Sequence, residues 1–180
     1  EIKRKDIRLG DTVILQKAGD VIPEVVASLK KLRTGREKEF QMPQKCPICG
    51  SPVIRPKGEV IRRCANKNCY ALTRRGLFHF VSKAAFDMDG LGPKILEQFL
   101  EKGLIKNAVD LFKLETGDIE PLERFAEKSS QNVYHTIQGH KKVTLERFIY
   151  ALSIRHVGAE MALDLATQFH TLEQFRQVKK

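Results

Sequence analysis

Four cysteines are the residues of this sequence that are best suited to chemistry. They form two short pairs, Cys46-x-x-Cys49 and Cys64-x-x-x-x-Cys69, with fourteen residues between the pairs, and the chain has no other cysteine. Because each pair can curl around one side of an ion, the spacing predicts a tetrahedral site with four thiolate ligands, which is typical of one structural zinc ion. Two disulfides or four free thiols are the alternative interpretation, and disulfides would require an oxidising compartment.

The residues between the two pairs predict the element that positions the sulfurs. Val53-Ile54-Arg55 and Val60-Ile61-Arg62 flank the turn residues Pro56-Lys57-Gly58-Glu59, which is the pattern of a β-hairpin. Gly50 follows the first pair and can adopt a positive φ, so that backbone amides turn toward the sulfurs. The sequence therefore predicts a small zinc ribbon.

Positive charge is concentrated in this ribbon. The chain has a formal charge of +10, and residues 44–72 carry six Lys or Arg but one Asp or Glu. Such an excess favours an anionic partner such as nucleic acid, and a solvated surface without a partner is the alternative. The basic side chains predicted to meet DNA phosphates are Arg55, Lys57, Arg62, Arg63 and Lys67.

Targeting signals are absent from the sequence. No apolar run approaches the length that spans a membrane, and no signal peptide is visible. Because the chain begins with Glu1, we expect a segment of a longer protein. Reduced cysteines suit the cytoplasm, so we predict a cytoplasmic location and no membrane partner.

Strand signals precede the ribbon. Residues 12–15 are apolar and β-branched, residues 17–20 are turn formers, and apolar pairs return over residues 21–26. Pro23 limits pairing and indicates a strand edge or a bend. These few strands cannot close a barrel, so they predict the end of a β domain, and residues 28–43 are interpreted as a polar connection.

Helical periodicity begins after Cys69. Apolar residues recur at intervals of three and four, which predicts an amphipathic helix over residues 74–86 with Thr73 as its N-cap. We interpret His79 in this helix as a surface or core histidine rather than a metal ligand. Later apolar residues predicted to belong to the core are Leu104, Ile105, Val109, Leu111, Phe112 and Leu114.

A glycine turn follows this helix. Gly90-Leu91-Gly92 predicts a tight hairpin, and Pro93 suits the first turn of the next helix. Unpaired N–H groups at such a helix start can receive a phosphate, although an ordinary helix–helix turn is the alternative. The predicted DNA contacts here are Gly90, Leu91, Gly92 and Lys94.

Two segments partly repeat this hairpin. Residues 122–130 lack the glycine pair, whereas residues 151–159 keep Gly158 and have His156 in place of the first glycine. The copies recur at roughly thirty residues, which fits an array of paired helices. Val157 and Gly158 end the turn of the last copy.

The ordered set of motifs resembles bacterial NAD-dependent DNA ligases. The motifs that carry this resemblance are Gly10-Asp11-Thr12-Val13, Ala18 to Pro23, Cys46-Pro47-x-Cys49-Gly50, His79-Phe80-Val81-Ser82, Met88 to Gly92, Ile149 to Leu152 and Ile154-Arg155-x-Val157-Gly158. The resemblance implies a multidomain α+β fragment. Residues 1–43 would be the C-terminal part of an OB barrel, residues 44–72 a four-cysteine zinc module, and residues 73–180 three of four motifs of an all-α helix-hairpin-helix domain.

The resemblance also implies a function and the residues that perform it. The fragment would bind nicked double-stranded DNA by its backbone, as a monomer, for a parent enzyme that seals nicks in replication and repair. The family's ligands for one structural zinc ion map onto Cys46, Cys49, Cys64 and Cys69. Its phosphate-facing hairpins map onto Gly90-Leu91-Gly92 and Val157-Gly158, so the resemblance implies that Val157 and Gly158 are further DNA contacts. The second hairpin, Phe125-Ala126-Glu127, departs from the family pattern, and Glu127 would repel a phosphate.

The family's catalytic lysine has no counterpart here. It lies in a Lys-x-Asp-Gly motif, which this sequence lacks, so we predict no catalytic residue and no activity for the isolated chain. The parent's NAD and Mg²⁺ would bind mainly outside it. Two alternatives remain open: the zinc-ribbon and helix-hairpin-helix module of another repair protein, such as a nuclease subunit, and a zinc-stabilised scaffold that binds protein.

Overall fold

The computed structural model describes residues 1–19 and 21–177, which divide into two compact units. The first unit comprises Glu1–Pro47 and Pro52–Arg63, and the second comprises Ile48–Ser51 and the chain from Cys64 onward. Strands dominate the first unit and helices the second, in agreement with the predicted α+β class. The division runs through the cysteine ribbon.

Four short strands lie within the described part of residues 1–43. Their bounds are β1 Arg8–Leu9, β2 Val13–Ala18, β3 Ile22–Ser28 and β4 Lys38–Glu39. β2 and β3 pair antiparallel, with Val13 opposite Ser28 and Ala18 opposite Ile22, which confirms the hairpin predicted here. β4 pairs antiparallel with β1.

The reversal between β2 and β3 is shorter than predicted. Lys17 and Ala18 were expected in the turn, but both belong to β2 because they pair with residues of β3. Gly19 has φ of +58°, which glycine adopts without a steric penalty, and Asp20 lies outside the described residues. Pro23 lies in β3, which pairs with β2 and with no further described strand. Its missing N–H therefore removes no hydrogen bond to a second neighbouring strand, in agreement with the predicted edge position.

The segment after β3 is more ordered than a plain connection. It contains a 3-10 turn at Lys30–Leu32 as well as β4. Arg33 Nε lies 2.7 Å from Asp11 Oδ1, and Arg33 Nη1 lies 3.0 Å from Asp6 Oδ2. Within the described part of residues 1–43 no residue is fully buried, so these ion pairs hold together a segment that has no apolar core of its own.

The ribbon hairpin is present, but one of its strands comes later in the sequence than predicted. β5 Val53–Ile54 pairs with β6 Arg63–Cys64. Residues 60–62, which were predicted as strand, form an exposed loop instead. A hydrogen bond from Glu59 N–H to the Pro56 carbonyl (3.0 Å) closes the turn early, so the chain needs the following residues to return to β5.

Helices make up the second unit. Their bounds are α1 Tyr70–Val81, α2 Pro93–Glu101, α3 Ala108–Leu111, α4 Thr116–Ile119, α5 Glu127–Gly139, α6 Leu145–Ala151, α7 Ala159–Phe169 and α8 Leu172–Gln177. The helices predicted after the three hairpins are therefore α2, α5 and α7, each of which begins directly after its turn.

The prediction for α1 was wrong at both ends. Thr73 is not the N-cap, because Cys69 has the extended capping conformation and its carbonyl accepts the Thr73 N–H (3.0 Å). At the other end the Ser82 hydroxyl donates to the His79 carbonyl (2.6 Å), and the chain leaves the helix. The residues that follow are apolar because they fold back onto the core, where Ala85 and Phe86 are buried. Their apolar spacing made the helix look longer in the sequence than it is.

Among the described residues, one hydrophobic core takes buried side chains from each of the helices α1 to α6. Its most completely buried large side chains are Leu96, Phe99, Ile105, Leu111, Ile119 and Ile137. The sequence predicted Ile105, Leu111 and Leu114 correctly, whereas Val109 is 63% exposed. Met88 and Leu91 of the first hairpin also belong to this core, so the turn is anchored to the helices.

Candidate nucleic-acid interface and metal centre

The four cysteine sulfurs converge. The Sγ atoms of Cys46, Cys49, Cys64 and Cys69 all lie within 4.8 Å of one another. Cys46 and Cys69 are buried, the other two are half-buried, and no disulfide joins these residues. The disulfide interpretation is therefore wrong for this conformation.

Local backbone structure brings the two cysteine pairs to this point. A β-bridge between Lys45 and Pro52 closes the first knuckle, in which Gly50 has φ of +69°. In the second knuckle the Cys69 N–H donates to the Asn66 carbonyl (3.2 Å). Cys69 then serves as the N-cap of α1, so the cluster is built onto the start of a core helix.

The surroundings of Cys49 favour its thiolate. Hydrogen bonds from the Ser51 side chain, and then from the Ser51 backbone, lower the pKa of Cys49 to about 6. A thiolate is the form that binds a metal ion. Cys49 is therefore prepared to act as a ligand near neutral pH.

The geometry fits a zinc ion. Zn–S bonds of about 2.3 Å in a tetrahedron place the sulfurs roughly 3.8 Å apart. Cys49 Sγ and Cys64 Sγ are 3.4 Å apart, so a small outward movement would admit the ion. His79 is not part of the cluster, since its Nε2 donates to the Tyr150 carbonyl (2.7 Å), as expected for a histidine that packs rather than binds metal.

The first hairpin has the backbone of a tight turn that leads into a helix. The Leu91 N–H donates to the Met88 carbonyl (3.2 Å), and Gly90 has φ of +87°. Gly92 is the N-cap of α2 with φ of −69°, and Pro93 is the first helical residue, as predicted. The exposed start of α2 therefore follows directly from the turn.

The other two hairpins have the same backbone with different residues. The Phe125 N–H donates to the Leu122 carbonyl (3.1 Å), and the Val157 N–H donates to the Ile154 carbonyl (3.0 Å). The position that Gly90 occupies in the first hairpin is held by Arg124 with φ of +68° and His156 with φ of +67°. The interpretation of residues 122–130 and 151–159 as copies of the first hairpin is thus confirmed in shape.

Not every predicted contact residue faces outward. Gly90, Gly92 and Lys94 are exposed, whereas Leu91 is 3% exposed and uses its N–H within the turn. Val157 is half-buried and likewise uses its N–H in its own turn, while Gly158 is exposed as the N-cap of α7. The Leu91 side chain therefore packs into the core, and the amides of Leu91 and Val157 are both engaged in their own turns.

A cleft of about 630 Å³ borders the first hairpin. Its lining residues include Gly90, Gly92 and Pro93 of the hairpin as well as Lys83 and His140. Asp87 and Asp89 lie on the same cleft, so its electrostatic character is mixed. The hairpin is thus accessible, and backbone amides rather than a dense set of cations are its main donors.

The ribbon cations are of two kinds. Arg63 Nε lies 3.2 Å from Glu59 Oε2, and Arg55 Nε donates to the Glu59 carbonyl (2.7 Å). Lys57, Arg62 and Lys67 are exposed. The basic ribbon predicted from sequence is therefore partly committed to its own turn.

Sequence reasoning missed one charged residue of the third hairpin. Arg155 is exposed in that turn, at the position that Asp89 holds in the first hairpin and Glu123 in the second. Alignment of the three turns on their hydrogen bonds would have found it. This position of the turn is thus acidic in the first two hairpins and cationic in the third.

Models of known domain families match three segments of this chain. A model of the NAD-dependent DNA ligase OB-fold domain matches residues 1–37, and one of the NAD-dependent DNA ligase C4 zinc finger domain matches residues 45–71. A model of the helix-hairpin-helix motif matches residues 147–180. These matches confirm the partial OB segment, the zinc ribbon and the helix-hairpin-helix class. Among the described residues no helix is both long enough and apolar enough to cross a membrane.

Curated relatives extend the similarity to nearly the whole chain. The chain is 50% identical over 176 residues to a DNA ligase of Halalkalibacterium halodurans, which covers 98% of this chain and 26% of that protein. It is 48% identical over 179 residues to a DNA ligase of Anoxybacillus flavithermus, covering 99% of this chain and 27% of that protein. The chain thus spans about a quarter of the length of the curated relatives it matches.

Proposed function

Because the chain carries the OB-fold and C4 zinc-finger domains of the NAD-dependent DNA ligase family, we propose that it is the part of such an enzyme that grips duplex DNA around a nick. The observation that carries this proposal is the pair of hairpins that end in exposed glycine N-caps, Gly92 and Gly158. The alternative, a module of another repair protein, is not favoured, because both matched domains are of the ligase family.

The hairpins would hold phosphates through backbone amides. The first N–H groups of a helix have no partner within the helix, and the helix dipole favours an anion there. Pro93 has no N–H, so the amides of Gly92 and Lys94 are the donors that we assign to a phosphate at α2. Gly158 would have the corresponding role at α7. Contacts of this kind fix position without reading bases, so binding would not depend on sequence.

One zinc ion would be bound by Cys46, Cys49, Cys64 and Cys69. The donor set of four sulfurs and the spacing described above support this assignment. The ion would supply folding energy to the ribbon and no chemistry, because a site with four protein ligands leaves no open position for a substrate. The protein residues would thereby hold β5, β6 and the start of α1 together.

The domain boundaries that we propose follow the sequence prediction. Residues 1–43 would belong to the OB domain, residues 44–72 to the zinc module, and residues 73–180 to a helix-hairpin-helix domain. The ranges matched by the family models, 1–37, 45–71 and 147–180, fall within these proposed domains. The last hairpin would be the third of four motifs.

Joining the ends of nicked DNA would be the activity of the whole enzyme. The sequence has no Lys-x-Asp-Gly motif, so NAD and Mg²⁺ would act mainly on residues outside this chain. We propose that the chain acts as a monomer in the bacterial cytoplasm, where thiols remain reduced. Incubation with labelled NAD should leave it without bound AMP, and stable incorporation would contradict this assignment.

A titration with nicked duplexes tests the proposed grip. The chain should bind two duplexes of unrelated sequence with similar affinity. Log affinity should fall with log salt concentration by about 0.9 per phosphate neutralised. A strong preference for one duplex, or an affinity that ignores salt, would contradict binding to the DNA backbone. An intact duplex serves as the control for recognition of the nick.

A further inference from the structure

Arg147 of α6 holds the segment that leads into the first hairpin. Its Nε donates to the Ala85 carbonyl (2.7 Å), and its Nη2 donates to the Lys83 carbonyl (2.6 Å). Nη2 also lies 3.6 Å from Asp87 Oδ2. Asp87 has φ of +54°. This backbone conformation is unfavourable for a residue other than glycine, and it persists only where surrounding contacts hold it. The next residue, Met88, accepts the hydrogen bond that closes the hairpin turn.

Two further contacts hold α6 against the same region. Phe148 lies edge-on to Phe86, with ring centroids 6.5 Å apart. The Tyr150 carbonyl accepts the hydrogen bond from His79 of α1, and the two rings are 4.5 Å apart. Three residues of one helix thus fix α1 and the segment that follows it.

The third hairpin begins just beyond the end of α6. Its turn opens at Ile154, and α6 ends at Ala151. The first hairpin and the third are therefore attached to opposite sides of the contact that Arg147 makes. The second hairpin is attached elsewhere: Gln98 of α2 donates to the Glu123 carbonyl (3.3 Å), and Phe125 packs near Phe99.

We propose that Arg147 is a positioning residue that sets the first hairpin relative to the third, so that both can meet the DNA backbone at once. This inference rests on the proposed DNA-binding function. Two sites on one rigid scaffold bind one ligand more tightly than two sites that move independently, because less freedom is lost on binding. Arg147 acts through Ala85 and Asp87, and not through a phosphate, because its guanidinium is already committed to these groups.

Arg147→Gln in the full chain tests the inference, with Arg147→Lys as a second variant that keeps the charge but not the forked geometry. Both variants should bind a nicked duplex about tenfold more weakly, the equivalent of one lost charge-assisted hydrogen bond. The slope of log affinity against log salt should stay within about half a unit of wild type. Lys142→Gln, which removes one charge from an exposed position nearby, should change affinity little.

A double-mutant cycle separates positioning from a general loss of stability. Because Arg147 acts through the first hairpin, its loss should add little to the effect of Gly92→Val, which already impairs that hairpin. Its effect should add fully to that of Arg62→Ala in the ribbon. The amide NMR signals of Gly90 and Gly92 should also shift in Arg147→Gln.

Each other outcome would overturn the inference. Unchanged affinity would mean that Arg147 does not position the hairpin, and a slope lower by about one would mean that it touches a phosphate directly. Full additivity with Gly92→Val would mean that it acts elsewhere. If Arg147→Gln fails to fold, Arg147→Lys is judged by the same criteria. If the wild-type chain binds no DNA, the proposed function itself is wrong. If the wild type binds DNA and Arg147→Gln binds equally well, only the inference about Arg147 is wrong.

Discussion

Gly90 and His156 hold the same position in two hairpins, with φ of +87° and +67°. Each lies two residues before the glycine that caps the next helix, Gly92 or Gly158. A positive φ is uncommon for residues other than glycine, although histidine, asparagine and aspartate adopt it more readily than most. The turn bond and the packing of the helices therefore impose the conformation, and glycine only makes it less costly.

The two glycines of the first hairpin should differ in their contribution to stability. Gly90→Ala should lower the free energy of unfolding by about 1 kcal/mol, because a left-handed residue with a Cβ costs more than the entropy that alanine saves. Gly92→Ala should cost less, about 0.5 kcal/mol, because φ of −69° suits any residue and only the preference of an N-cap for glycine over alanine is lost. At both positions a Cβ would meet no atom within 4 Å, so steric clashes do not explain the difference. Denaturant unfolding followed by the helical circular dichroism signal measures both variants, and equal losses would contradict this explanation.

Sequence reasoning succeeded where spacing directly reflects geometry. The cysteine pairs, the helix that starts at Pro93 and the hairpin of β2 and β3 each carry a local signal that tertiary packing does not change. It also identified the copies at residues 122–130 and 151–159, because the helix after each turn keeps its apolar spacing.

It failed where distant groups decide the local structure. Residues 84–86 look helical, but hydrogen bonds to Arg147 and contact with the core hold them as a loop. β4 has too few residues for a periodic signal, and its partner β1 lies far away in the sequence. Likewise, the burial of Leu91 depends on the scaffold behind the turn and not on the glycines beside it.

Gly92→Val should weaken DNA binding without unfolding the hairpin. Extended backbone accommodates valine, and the site around Gly92 is open, so the new side chain projects toward the position proposed for a phosphate. We expect an affinity loss of about tenfold or more, with a change in unfolding free energy of less than about 1 kcal/mol. Ala126→Val at the same position of the second hairpin is the matched control and should bind normally, because Glu127 there replaces Pro93 as the first helical residue and would repel a phosphate. Equal losses in both variants would show that the second hairpin also contacts DNA.

Arg62 and Arg63 should respond differently to replacement by alanine. Arg62 is exposed, so its loss should lower the salt slope by about one unit if it neutralises a phosphate. Arg63 pairs with Glu59, and its loss should change the slope less because that charge is already partly compensated. Titrations of both variants at several salt concentrations measure this, and the reverse order would mean that DNA displaces Glu59 from Arg63.

Cys64→Ser should release the metal ion and unfold the ribbon. Structural zinc sites contribute on the order of 10–16 kcal/mol in small peptides at neutral pH, far more than one pair of two-residue strands can supply. Metal analysis under reducing conditions should find one zinc per wild-type chain and none in the variant. Loss of β6 should also loosen the start of α1, where Cys69 is the N-cap. Wild-type protein without zinc but with an ordered ribbon would contradict the metal assignment, and chelator treatment of wild type provides the matched control.

Acid should weaken the β part of the chain through Asp11. The side-chain hydrogen bond from Arg33 is the main cause that lowers the pKa of Asp11 to about 2, from an ordinary value of 3.8. The pKa of Asp6 is lowered to about 2 as well, by side-chain hydrogen bonds from Lys30 first and then from Arg33. A carboxyl whose pKa is depressed in the folded state stabilises the fold above its unfolded pKa and loses that contribution as pH falls. Stability should therefore decline between about pH 4 and pH 2.

Amide hydrogen exchange along β2 and β3 is the measurement for this prediction, because it reports on the hairpin and not on the zinc ribbon, whose thiolates also respond to acid. Arg33 is the residue to replace: its side chain is 15% exposed and meets an Asp11 side chain that is 1% exposed. In Arg33→Gln the carboxyl carbon of Asp11 should titrate closer to its ordinary value, and the acid-dependent loss of protection should shrink. Lys31→Gln removes the same charge from an exposed neighbour and should leave the Asp11 titration unchanged. An identical acid response in wild type and Arg33→Gln would show that the ion pair does not hold this segment.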